Sequence, residues 1–333
     1  MAEQAIPLPP PVANPHAPRS MEVCGLGHVP LPAGVPGAGS AGGLEALPTP
    51  LGNASLAQAR ERLLAGLHQS DWTRARVAAQ WLDRPDTEDP IIWHAWAQAT
   101  LQQAMAQPDA VALSWAEEAC GRLLGAGDGS QGSACRRELI HAQLRLEPDN
   151  ARHWAALAEE DLAAADDAWQ GLLRARRWHE VPQAMVLVTQ QALPRDIPGY
   201  LRLALGTEVG TRAFALPSPG EAFLQARCSE PVPGRKAECR ALAEMMVAHS
   251  DSTRTLALGL DLGQTAGWPR ERVQVLQQEL QALASDRARW LPEASQPLSC
   301  RSVDAWLQDL QQMAAMGELP ALRQRLAEHR VPR

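Results

Sequence analysis

Past Leu51 the apolar residues return every three or four positions, and most segments that do so close at a glycine or a proline. Leu56, Leu63, Leu64 and Leu67 share a face over 55–68, Leu113, Ala116, Cys120, Leu123 and Leu124 over 110–125, and Val273, Leu276, Leu280 and Leu283 over 270–285. That spacing predicts amphipathic helices with one stripe turned to a core. Two more follow at 302–316, through Val303, Trp306, Leu307, Leu310 and Met313, and at 319–329, through Leu319, Leu322 and Leu326. Breaks are expected at Gly125–Gly132, Pro148, Pro194, the LPSPG of 216–220, 228–235 and 291–299. Residues 1–53 behave differently: they are rich in Pro, Gly and Ala, almost without apolar period, and are expected to form a disordered or extended tail before a helical body at 54–333, with a possible break near 207–219. Within the tail, Met21–Pro30 is a short apolar island able to lie along the body through Val23, Cys24 or Leu26.

Composition agrees with a helical vocabulary. Ala, Leu, Gln, Glu and Arg dominate the 333 residues, and Val, Ile, Thr and Tyr never gather into alternating segments. The fold class expected is all-α. A net charge of −7 offers no broad attraction for a nucleic-acid backbone, and no run reaches the roughly 18 apolar residues of a membrane span. Lys236 is the only lysine, a bias that coding composition alone produces. Six cysteines include two pairs close along the chain, Cys120 with Cys135 and Cys228 with Cys239, which are candidate disulfides. The N-terminus shows no charged and apolar secretory signal, although Met21 is an alternative start. A cytoplasmic setting is therefore the default, with an exported one kept open by the cysteines.

One phrase recurs: Pro, five residues, a large aromatic, then apolar or small residues three and four further on. Pro148 with Trp154, Leu157 and Ala158 is the clearest copy, Pro194 with Tyr200, Leu203 and Ala204 matches it, and Pro90 with Trp96 matches loosely. Around the first copy, Leu144 to Ala158 followed by Ala168, Leu172 and Ala175 resembles the junction between two tetratricopeptide repeats. The departures are specific: Asp161 stands where that family places a large aromatic, and the copies are 58 and 46 residues apart rather than about 34. Good resemblance covers about 140–176. It implies an elongated stack of antiparallel helical hairpins, a TPR-like α-solenoid, with a protein or peptide partner on a concave face. The leading expectation is a non-catalytic interaction module.

Other residues suggest other chemistry. Leu258-Gly-Leu-Asp261-Leu-Gly-Gln-Thr-Ala-Gly267 is similar to the first-strand signature of RNase-H-like Holliday-junction resolvases and of the actin/hexokinase phosphate site, where Asp261 would hold a metal at a strand end. That alternative needs a strand, whereas an amphipathic helix follows Pro269. A second alternative is an exported structural protein stabilised by disulfides. No His or Cys pair has metal-ligand spacing, so no metal or cofactor is expected, and no catalytic residue is singled out. The acidic run Glu159-Glu160-Asp161 with Asp166 and Asp167 reads as a solvated face. Trp93 and Trp96 share one helical face and read first as core; if open, that face, with Arg122 nearby, is a candidate binding surface.

Overall fold

A computed structural model describes residues 20–30, 49–87, 89–124, 130–180, 183–214, 218–288 and 298–330. The chain is mostly helical. Strands β1 (Ser20–Val23) and β2 (Gly27–Pro30) pair antiparallel, with Ser20 opposite Pro30. The helices that follow are α1 (Thr49–His68), α2 (Thr73–Leu82), α3 (Pro90–Ala106), α4 (Ala110–Leu124), α5 (Ser130–Leu146), α6 (Ala151–Glu160) and α7 (Ala165–Arg174). The remaining ones are α8 (Gln183–Ala192), α9 (Gly199–Phe214), α10 (Glu221–Ser229), α11 (Arg235–His249), α12 (Thr253–Thr265), α13 (Arg270–Ala288), α14 (Cys300–Met316) and α15 (Glu318–Arg330).

Local chemistry sets many of these starts. Asp89 accepts from the Ile91 N–H with Pro90 at the first helical position of α3, and Asn150, Ser252 and Ser299 cap α6, α12 and α14 with their side chains. Gly267, at φ 82°, ends the chain's run through α12 before Pro269.

Two large apolar cores divide the helices. The first joins α1–α5, α8, α9 and α14 around Leu63, Trp81, Leu113, Met185 and Leu205. The second joins α6, α7, α10–α13 and α15 around Trp169, Trp178, Leu224, Met246 and Leu256. A smaller cluster, Ile140 and Leu144 of α5 against Leu157, Ala158 and Ala168, bridges them. The chain therefore crosses between cores repeatedly: α8 packs on α2 and α14 as well as on α9, and α15 returns to α13. The crossings run through one backbone seam. Ala151 N–H donates to Arg177 O (2.8 Å), Trp178 N–H to His249 O (3.1 Å), and Leu319 N–H to Asp251 O (2.9 Å).

Three expectations change. The island at 20–30 is a β-hairpin with Val23 buried, because Val23 and the part-buried Val29 pack on the first helical core; the rest of the expected tail up to residue 48 lies outside the described residues. The helical body begins at Thr49, not 54. The possible break at 207–219 shrinks, since α9 continues through Phe214, carried by Leu205, Val209 and Ala213 on one buried face; 215–217 lie outside the described residues.

Candidate peptide-binding groove

Three successive helices, α4, α5 and α6, together with the turn at 218–220, enclose a groove of about 590 Å³. Its floor is built from small or apolar side chains, Gly121, Ile140 and Ala156, and its walls carry Glu117, Glu118, Glu159 and Glu160 against Arg122, Arg136 and Arg152. Arg152 is the anchor. Its guanidinium meets Glu117 with two parallel bonds, each 3.2 Å, and also donates to Ser114 Oγ, which takes a further bond from Gln143. Burial opposes the charge on Arg152, but Glu117, with Glu180 and Asp251 further off, outweighs it and holds the guanidinium protonated beyond its ordinary range. The paired fork ties α6 to α4 across the groove.

The other wall charges are also held. Arg136 pairs with Glu160 at 3.3 Å and Arg84 with Glu118 at 3.3 Å, while Glu159 accepts the Gly220 N–H at 2.6 Å and so ties the 218–220 turn to α6. Beneath Arg152, His153 donates through Nε2 to Glu147 (3.1 Å), and Asn150 joins the same carboxylate. The His153 hydrogen bond, against the opposing effect of burial, draws Glu147 down to about 2, with Asn150 and Arg177 adding to it; burial pushes His153 below its ordinary value, so the ring is neutral at pH 7. Such an arrangement presents a fixed pattern of charges around the small and apolar positions Gly121, Ile140 and Ala156. Among the described residues no group of three or more His, Cys, Asp or Glu is placed to hold a metal.

The residues singled out in the sequence have distinct places. Trp93 and Trp96 form a T-shaped pair with ring centroids 5.3 Å apart, and their N–H groups donate to Thr87 O and Gln80 O. Trp96 sits in a small cluster with Ala97, Ala119 and Leu123, and Arg122 lies over Trp93 at 4.1 Å. Trp96 is buried and Trp93 half-buried beneath Arg122, which lines the groove. Asp261 is exposed on α12, a helix and not a strand end, because Gly259 and Gly263 serve close packing against Met246 and Trp268. The acidic run is only partly solvated: Glu160 is paired, Asp161 caps a short 3-10 turn at 162–164, and Asp166 pairs with Arg227.

Of the recurring phrase, Pro148 lies in the turn between α5 and α6, Trp154 packs its ring over Gly171 of α7, and its N–H donates to Pro148 O at 2.8 Å. Leu157, Ala158, Ala168 and Leu172 are buried, and Ala175 caps α7. Pro194 lies between α8 and α9, with Tyr200 and Leu203 buried on α9 and Ala204 half-buried. The cysteines pair as Cys24–Cys300, Cys120–Cys135 and Cys228–Cys239, so none is free. Sequence reasoning missed Glu117, Arg152 and Ser114; an acid on one helix matched to an arginine two helices later leaves no local spacing to read. Compared with known families, curated proteins and solved structures, the chain matches none of them.

Proposed function

We propose that this chain is a non-catalytic interaction module, a divergent tetratricopeptide-like array of helical hairpins that holds a segment of a protein partner in the α4–α6 groove. The observation that carries this reading is the groove itself: a cavity of about 590 Å³ whose charged walls are locked by Arg152–Glu117 and Arg136–Glu160. Locked side chains lose little further entropy when a ligand arrives, which favours recognition. The α6–α7 pair supports the repeat reading through its Trp154–Gly171 contact.

Gly121 supplies the test. A Cβ there meets only Arg136 at 3.5 Å, so a larger side chain projects into the groove without disturbing the cores. Random peptides displayed and selected on the full chain are expected to enrich a family that loses at least about tenfold in affinity for Gly121→Phe, the equivalent of about 1.4 kcal/mol. Selected peptides that bind Gly121→Phe as tightly as the parent would refute the groove.

A second reading concerns setting. Three disulfides that use every cysteine favour an oxidising compartment, where such bonds persist, and an exported protein stabilised by them. Protein isolated from its native cells under alkylating conditions is expected to show no titratable thiol; six would exclude this setting.

A further inference from the structure

The three disulfides are not equivalent. Cys120–Cys135 joins α4 to α5 across 15 residues and Cys228–Cys239 joins α10 to α11 across 11, and in each pair at least one cysteine, Cys120 or Cys239, has no exposed surface. Cys24–Cys300 spans 276 residues, and there Cys300 is exposed at the first position of α14 while Cys24 is half-buried. An external thiolate therefore reaches this bond at the exposed Cys300, whereas the other two offer at most the half-buried Cys135, and exposed disulfides are the labile ones.

What the bond holds is a small element. The β1–β2 hairpin is two strands of four residues, too little to be stable alone. Among the described residues its other attachments to the body are few. Val23 is buried, Cys24 N–H donates to Leu298 O at 2.8 Å, Tyr200 N–H donates to Cys24 O at 3.3 Å, and Gly25 lies against Pro198. Leu26, Gly27 and His28 are exposed. Among the described residues, Val23 is the hairpin's buried contribution to the first core, with Cys24 and Val29 packed part-buried against it; the rest of that core is built from the helices and Leu298.

We propose that Cys24–Cys300 is a reducible clasp and the 20–30 hairpin the strap it releases, opened by an external dithiol while the helical body stays folded. A thiolate of the dithiol attacks Cys300 Sγ; the sulfur–sulfur bond breaks and Cys24 leaves as a thiolate that takes a proton from water. The dithiol's second thiol then attacks the mixed disulfide, freeing the Cys300 thiol and leaving the dithiol as its own disulfide, two electrons having passed to the protein. Release leaves the Tyr200 N–H and the Leu298 carbonyl without partners on either side of an apolar seat at Gly199 and Val303. The clasp does not depend on what the groove holds.

The test uses the full chain titrated with dithiothreitol, with differential alkylation read by mass spectrometry and amide hydrogen exchange followed in parallel. Cys24 and Cys300 are expected to alkylate about tenfold faster than the other four cysteines, and exchange over 20–30 to rise with them while α4, α5, α10 and α11 keep their protection. The double variant Cys24→Ser/Cys300→Ser is expected to show the same exposed hairpin without reductant. Equal alkylation of all six cysteines would overturn the proposal. So would a hairpin that stays protected once Cys24 and Cys300 are thiols, or loss of the whole helical signal at that point.

Discussion

The helical pairs α6–α7 and α8–α9 contain the two best copies of one phrase, yet they use it differently. In the first, Pro148 precedes the pair, Trp154 stands on its leading helix, and the ring closes on Gly171 of the trailing helix; a Cβ on Gly171 would stand 2.2 Å from the indole. In the second, Pro194 lies inside the pair, and Tyr200 stands on the trailing helix with its N–H bound to Cys24 O of the β1–β2 hairpin. The arginines differ in the same way. Arg152 forks onto a carboxylate of another helix, whereas Arg202 donates to Pro194 O (2.5 Å) and Ile197 O (3.2 Å), closing its own turn. A shared local phrase thus starts a helix after a proline in both places. The surroundings decide what the aromatic position does: at Trp154 the ring closes on the neighbouring helix, and at Tyr200 the backbone N–H holds the turn of the β1–β2 hairpin.

Breaking the interhelical fastening of α6 has the largest expected effect. Arg152→Ala leaves Glu117 without its counter-ion in a mostly buried site and is expected to cost about 3 kcal/mol in chemical denaturation, the lower end for such pairs because Glu117 keeps some contact with water. Trp154→Ala, which empties the space over Gly171, is expected to cost about 3 kcal/mol as well, against a smaller loss of about 1 kcal/mol for Trp154→Phe, which keeps most of the ring and drops the bond to Pro148 O.

Acid sharpens the same contrast, because the titrating pair sits at the α6 end. Glu147 is drawn down to about 2, so its contribution is present above the ordinary carboxylate value of 4.5 and is lost as pH falls toward 2. His153 lies below its ordinary 6.5, so protonating the unfolded chain already weakens folding from that pH downward. Both act in one direction. A loss of about 2 kcal/mol between pH 5 and pH 2 is expected from Glu147, and Glu147→Gln should flatten that part of the profile.

Glycine substitutions give the finest comparison. Gly171→Ala is expected to destabilise by about 1–2 kcal/mol through overlap with Trp154. Gly210→Ala on α9, where a Cβ meets only Val186 at an ordinary 3.6 Å, is expected to stabilise by about 0.5 kcal/mol. Thermal unfolding of the two variants should move in opposite directions.

These cases show how far the sequence could be read. Periodic helices such as 270–285 and 302–316 were legible because a stripe of Leu and Val needs only local neighbours to declare itself, and α13 and α14 run close to those bounds. The glycines of 258–267 misdirect a local reading, since glycine admits phosphate at a strand end and equally admits a neighbouring helix at Gly259. The hairpin at 20–30 was hidden because two strands of four residues carry little alternation, and their seat comes from Pro198, Leu298 and Cys300, far along the chain. The groove was hidden for a related reason. Its charges are paired across helices, 35 residues apart for Glu117 and Arg152, so no local spacing marks them.

The most direct test is a hydrogen-exchange footprint of a selected peptide on the full chain. Protection concentrated on α4, α5, α6 and the turn at 218–220 is the predicted result. Protection confined to other helices, with the groove exchanging as it does in the free chain, would contradict the account.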